Sequence, residues 1–248
     1  MESICRKNYK VEVNDVDFNQ KLKLSSLFMY LQDMATIHAE RLGFGRNNLQ
    51  NYGVIWVLIR AKVDIIRYPK WNEEIAIETW PQQPNKIEFE RDFIVYDSKG
   101  DIIARAVSSW VIIDIVNRKL KRSKLINPAF PLIDRERALV CQLGKLKANG
   151  ILEPIYKKTV GYSDVDMNEH LNNAKYIDYI MDCFSLENHK KYFVQSIEID
   201  YIHEALPGDS ILLSKDLTQV DNNIIYIEGL NEKDKKVAFK SKVIIKHT

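Results

Sequence analysis

The sequence predicts an α+β protein made of two tandem modules, each an antiparallel sheet wrapped around one central helix. Three observations predict it. Asp164-Val-Asp-Met-Asn-Glu-His-Leu171 aligns without a gap with Asp15-Val-Asp-Phe-Asn-Gln-Lys-Leu22, at an offset of 149 residues. Each copy precedes one segment of helical apolar spacing. Each of those segments precedes a series of strand-like runs broken by turns. The likeness resumes downstream, where Val63-Asp64-Ile65 and Pro69-Lys-Trp-Asn-Glu73 resemble Ile199-Asp200-Tyr201 and Ala205-Leu-Pro-Gly-Asp209 at an offset of 136 residues. Two copies alone are visible, which fits a duplicated module better than a solenoid.

In the first half, residues 9–13 read as a strand leading into the motif. Ser25 or Ser26 is a suitable helix N-cap. Leu27, Phe28, Leu31, Met34, Ala35 and His38 recur at helical spacing, and Gly43 is a natural stop. Strands follow over residues 56–66, 75–80, 87–96 and 102–115, with Asp97-Ser-Lys-Gly-Asp101 as a turn. In the second half, Asn172 or Asn173 caps a helix with Ile177, Ile180, Met181 and Phe184 on its apolar face. Strands follow over residues 196–201, 211–218, 224–227 and 237–245. The expected division is a first module over residues 1–125, a connector over 126–153 and a second module over 154–248. The connector region carries Pro128 and Pro131, and a basic cluster of Arg118, Lys119, Lys121, Arg122 and Lys124 runs into it.

Bulk properties exclude several classes. The 248 residues are 46% hydrophobic and 28% charged with net charge +2, an ordinary globular balance without a signal for nucleic acid. The first residues hold no apolar signal core, and the apolar run at 54–59 is too short to span a bilayer. No membrane partner is expected, and a homodimer is left open. Cys5, Cys141 and Cys183 are odd in number without CxxC spacing. They read as reduced thiols in a cytoplasmic protein. His38, His170, His189, His203 and His247 lack metal-site spacing, and no Gly-rich phosphate loop is present, so no metal or nucleotide cofactor is expected.

The chemistry concentrates in the second copy of the motif, where His170 stands opposite Lys21 of the first. Histidine is the side chain whose ordinary titration lies nearest neutral pH, which suits it to proton transfer. Asp166 and Asn168 recur as Asp17 and Asn19 in the half without the histidine. An Asp-x-Asn pair also shapes a turn by bonding neighbouring amides, so both readings stand for these two residues. Asp164, copied as Asp15, reads as structural.

Ser163-Asp-Val-Asp-Met-Asn-Glu-His-Leu-Asn-Asn-Ala-Lys-Tyr176, in the second of two modules and ahead of a helix, resembles the acyl-ACP thioesterases of bacteria and plant plastids. The resemblance covers essentially the whole chain. It implies a pair of hot-dog modules, with the first non-catalytic and binding the acyl chain. It also implies hydrolysis of fatty acyl-[acyl carrier protein] thioesters, with acyl carrier protein as partner. The catalytic residues it implies are Asp166, Asn168, His170 and a following strand glutamate, which falls on Glu204. Offset 136 sets Tyr68 opposite Glu204. Plant members often carry a cysteine after that glutamate, and this chain has Ala205. His203 is expected on the opposite face of the strand.

The expected reaction is attack of water on a thioester carbonyl, with Glu204 and His170 as the acid–base pair. Asn168 would hold water or carbonyl, and amides near Asn172 and Asn173 would receive the oxyanion. The sequence leaves open whether Glu204 is a base or a nucleophile. It also leaves open an acyl-CoA thioesterase and a non-catalytic acyl-ligand binder. The basic cluster reads as a solvated turn or as a contact for an acidic carrier.

Overall fold

Thirteen residues, Ile102–Asp114, make the longest strand, because Ala104, Ala106, Ser108 and Val111, Ile113 keep apolar or small side chains on the faces that are covered. This strand, β5, belongs to a five-stranded antiparallel sheet. Its companions are β1 (Cys5–Lys10), β2 (Val54–Ile65), β3 (Glu74–Pro81) and β4 (Glu88–Asp97), in the order β1-β3-β4-β5-β2. The computed structural model describes residues 3–126, 133 and 135–247. Pro128 and Pro131 lie outside the described residues.

The chain divides into two units. The first holds the residues up to Lys23 and Met29–Leu143; the second holds Leu24–Phe28 and the residues from Gly144 on. Each is described separately.

Helix α1 (Leu24–Arg41) starts after Lys23, whose extended backbone serves as N-cap without a side-chain bond. Ser25 and Ser26, the expected caps, are instead buried in the first turn. At the other end Gly43 adopts φ +78°, the left-handed conformation that terminates helices at glycine. Within the first unit α1 is tied to the sheet by side chains. Tyr9 of β1 stacks on Tyr30 with centroids 4.5 Å apart, and its hydroxyl donates to Asp33 at 2.7 Å. Arg91 of β4 donates to His38 Nδ1 at 2.9 Å and to Thr79 Oγ1 at 3.2 Å. Burial lowers the Arg91 guanidinium pKa to about 10. A short helix α2 (Arg46–Gln50) brings Leu49 against Leu42, Phe44, Val54, Phe89 and Ile112 in one apolar cluster.

The other face of this sheet is covered by the chain after β5. Ala138 packs on Trp80 and Ile94. Arg135 lies 3.9 Å from the Trp80 ring centroid and pairs with Glu78 at 2.6 Å. Arg137 Nε donates to the fully buried Asp92 at 2.8 Å. The segment expected as connector is therefore, at these residues, part of the first unit's packing.

In the second unit β6 (Glu153–Thr159), β7 (Tyr192–Tyr201), β8 (Ser210–Asp216), β9 (Ile224–Asn231) and β10 (Val237–His247) pair antiparallel in the order β7-β10-β9-β8-β6. Helix α3 (Asn173–Met181) is capped by Asn172, whose side chain accepts the Ala174 amide at 2.8 Å. It buries Ala174, Tyr176, Ile177, Tyr179 and Ile180. Phe184, expected on this helix, lies beyond its end, and a second helix α4 (Leu186–Lys191) follows. Phe239 of β10 reaches Tyr176 edge-on at 5.5 Å, in space that only a glycine at 229 leaves free. A Cβ there would stand 2.2 Å from the Phe239 ring. Among the described residues no helix is long and apolar enough to cross a membrane.

Candidate active site

The two copies of the motif fold into the same turn, with most of its bonds repeated; the Lys21 amide adds one to Asp17 Oδ1 at 3.0 Å in the first. In the first, the Asp17 amide donates to the Lys21 carbonyl at 2.8 Å and the Gln20 amide to the Asp17 carbonyl at 2.9 Å. In the second, the Asp166 amide donates to the His170 carbonyl at 2.9 Å and the Glu169 amide to the Asp166 carbonyl at 3.0 Å. Gln20 and Glu169 both take a left-handed backbone, at φ 58° and 62°. Asp17 Oδ1 accepts the Asn19 amide and Asp166 Oδ1 the Asn168 amide, each at 2.8 Å. One residue pair upstream is equally repeated. Asp15 accepts the Glu12 amide and the Tyr30 hydroxyl, and Asp164 accepts the Gly161 amide and the Tyr179 hydroxyl. Carboxylate bonds of this kind each contribute about 1.5–3 kcal/mol. Asp166 is thus a turn-former in its own right, as Asp17 is where no histidine follows.

The turn delivers His170. Its Nδ1 lies 2.5 Å from the Asn168 carbonyl oxygen, and its Nε2 lies 3.1 Å from Glu204 Oε2. These two contacts fix the proton bookkeeping. A carbonyl only accepts, so Nδ1 carries hydrogen. The Nε2–carboxylate contact then needs a proton between its two atoms, held by either the imidazole or the carboxyl. His170 and Glu204 keep 28% and 44% of their side chains exposed to solvent, so water reaches the pair. The exposed Asn168 amide group lies at 3.5 Å from Asp166 Oδ2. All four expected residues therefore stand on one turn and the loop facing it.

Glu204 departs from expectation in one respect: it is not on a strand. β7 ends at Tyr201, because the amides of Ile202 and His203 both turn onto the single carbonyl of Ala238, at 2.9 and 3.1 Å. That ends the ladder and places His203 and Glu204 in the connection to β8. The Leu171 amide bonds the Ala205 carbonyl at 2.9 Å, holding motif and loop together. Its counterpart is the Leu22 amide on the Pro69 carbonyl at 2.8 Å, which sets half-buried Tyr68 where the second unit has Glu204. A second departure concerns the oxyanion donors. The Asn172 amide is occupied by the Asp164 carbonyl at 2.9 Å.

Sequence reasoning passed over Tyr176 and Tyr201. Tyr201 donates to the Asn173 carbonyl at 3.1 Å, and Tyr176 reaches the His203 carbonyl at 3.5 Å. The signal was available, since the repeat places Leu27 and Ile65 at these positions. Among the described residues no group of three or more His, Cys, Asp or Glu side chains is placed to hold a metal ion.

No thiol stands in this arrangement. Cys5 is buried in the first unit beside Arg41, and burial pushes the Cys183 thiol up to about 12. A thiol so raised is not a nucleophile at neutral pH. A variant with Cys5, Cys141 and Cys183 changed to Ser or Ala should keep most of its turnover. Acylation of one cysteine by substrate, seen by mass spectrometry with matching loss of activity, would contradict this.

The family models for the acyl-ACP thioesterase N-terminal and C-terminal domains match residues 2–124 and 153–246. The chain belongs to the acyl-ACP thioesterase family. An acyl-ACP thioesterase from Bacteroides thetaiotaomicron shares its fold with TM-score 0.90 at 27% identity, over 98% of each chain. The 12:0-ACP thioesterase of Umbellularia californica has the same fold, with TM-score 0.83 at 19% identity over 100% of this chain and 99% of that one. The fold is the double hot-dog of this family. Among curated relatives, the chloroplastic acyl-[acyl-carrier-protein] hydrolase FATB2 of Cuphea viscosissima is 28% identical over 88% of this chain and 55% of its own length. The oleoyl-acyl carrier protein thioesterase 2 of Arabidopsis thaliana is 25% identical over 89% of this chain and 64% of its own. The chain therefore spans somewhat over half the length of these relatives.

Proposed function

We propose that this acyl-ACP thioesterase family member hydrolyses fatty acyl-[acyl carrier protein], releasing free fatty acid and ending fatty acid synthesis. The observation that carries the reading is the His170–Glu204 pair, one proton between two basic atoms beside solvent. Water adds to the thioester carbonyl as its proton passes to the Glu204 carboxylate, while His170 keeps the proton already shared between Nε2 and Oε2. The tetrahedral intermediate then expels the phosphopantetheine thiolate, a good leaving group because a thiol is only weakly basic when ionised, and the pair returns the proton to it. Glu204 acts here as part of a general base, consistent with its contact to imidazole, rather than as the nucleophile of an anhydride. Asn168 orients water or carbonyl, and Asp166 holds the turn that aims His170. With the Asn172 amide occupied, the Asn173 amide at the first position of α3 is the oxyanion donor of this scheme.

The first module, with Lys21 and Tyr68 in place of the pair, takes the acyl chain in this reading. Exposed Lys119, Arg122 and Lys124 offer an acidic carrier a positive face, while Lys121 is spent on Asp114 at 2.9 Å. Three cysteines without a disulfide among them support a reducing, cytoplasmic setting. The test is hydrolysis of matched acyl-ACP and acyl-CoA series of varied chain length. The reading requires kcat/KM to be higher on acyl-ACP at the preferred length. Turnover of acyl-CoA alone would reassign the carrier, and binding without turnover of either would make the chain an acyl-ligand binder.

A further inference from the structure

Glu204 sits on a loop, and a loop carboxylate meets an imidazole at one distance only if its backbone is held. Several contacts do the holding. The Leu171 amide takes the carbonyl of Ala205, on the C-terminal side of Glu204. On the N-terminal side, the peptide carbonyl of His203 faces the hydroxyl of Tyr176 at 3.5 Å. Tyr176 is only 3% exposed, and its ring is fixed edge-on between Tyr201 and Phe239, each with centroids 5.5 Å away. The Phe239 wall of that seat depends on Gly229. The phenol thus reaches Glu204's backbone from the core, on a ring with no room to swing.

The duplicated half supplies an internal control. Tyr179 and Tyr30 correspond in the repeat and make the same bond to the motif's first aspartate, so that phenol serves the turn. Tyr176 corresponds to Leu27, in the half where Tyr68 replaces Glu204 and Lys21 replaces His170. The Tyr176 hydroxyl is found where the acid–base pair is found and not where the turn alone is kept.

We propose that Tyr176 is a positioning residue, whose hydroxyl holds the His203 carbonyl and so sets the Glu204 carboxylate against His170 Nε2. The proximity of the phenol to this loop also shows in its acidity. Burial raises its pKa, the Ala205 amide opposes that, and the nearby Glu204 carboxylate adds to it.

The inference rests on the acid–base reading of the pair, and its test is chosen to be independent of carrier. Tyr176→Phe removes one oxygen and keeps the ring seat, so the fold is expected to survive. On whichever thioester the wild type turns over, kcat should fall about 10- to 100-fold, the loss typical of a slightly misplaced catalytic group. KM should stay within about twofold, and the pH dependence of kcat should change shape. In a Glu204→Gln background the same change should cost no more than about twofold, because there is no carboxylate left to place. Tyr201→Phe, which removes a hydroxyl from the same ring cluster but not from the His203 carbonyl, should cost less than Tyr176→Phe. Unchanged kcat in Tyr176→Phe, an equal loss in the Glu204→Gln background, or an equal loss from Tyr201→Phe would each overturn the proposal. Absence of thioester turnover by the wild type would instead refute the functional reading on which it rests.

Discussion

His170→Ala should lower kcat by about 10²–10⁴-fold, the usual cost of losing a general acid–base group, while leaving the thermal unfolding midpoint close to wild type. The stability expectation follows from the turn. The bonds that shape it are made by the Asp166 carboxylate and by backbone, and the first unit keeps the same set with Lys21 in the histidine's place. The imidazole is therefore not needed to close the turn. Lys21→Ala provides the matching control and should change kcat by less than about twofold. Stopped-time assays of released thiol on both variants decide the matter. Equal losses from His170→Ala and Lys21→Ala would mean that chemistry is shared by both modules.

The second large effect is expected from Glu204→Gln. Glutamine keeps the size and the exposed position of the side chain but cannot accept a proton from His170. The Nε2 contact at 3.1 Å then becomes an ordinary hydrogen bond to a neutral amide rather than a shared proton. The kcat should fall nearly as far as in His170→Ala, and the double variant should lose little more, because groups that act as a unit are non-additive. Single-turnover kinetics place the loss in the chemical step. A folded Glu204→Gln enzyme with near-normal turnover would remove Glu204 from the mechanism and require a different base.

How much of this was legible depended on how side chains advertise their surroundings. The inner strands were readable because alternation or continuous apolarity marks burial, as in β3 and β5. β6 was not, since six of its seven residues are exposed at the sheet edge and no apolar alternation marks it. α2 and α4 are five and six residues long and mostly polar, too short for a period to show. The start of α1 misled because two serines offered themselves as caps, whereas the Lys23 amide is already bonded to the Asp15 carbonyl and Lys23 caps the helix at least two residues earlier. Glu204 was expected on a strand only through the resemblance; the alternation itself stops at Tyr201-Ile202, where the paired amides on Ala238 end the ladder. The members of the site were visible as a departure between repeats, His170 from Lys21 and Glu204 from Tyr68. Their contact was not, because nothing in a sequence states which carbonyl fixes a tautomer.

That two turns of one shape stand in a single chain matters for inheritance. In a pair of identical chains, any substitution lands in both copies at once, so a site built from one copy cannot be altered in the other. Joined in a single gene, the two turns mutate separately. One can drift in its reactive side chains while Asp15 and Asp17 go on closing it, and the other can stay under selection for turnover. The first module can then change its side chains without putting the second at risk.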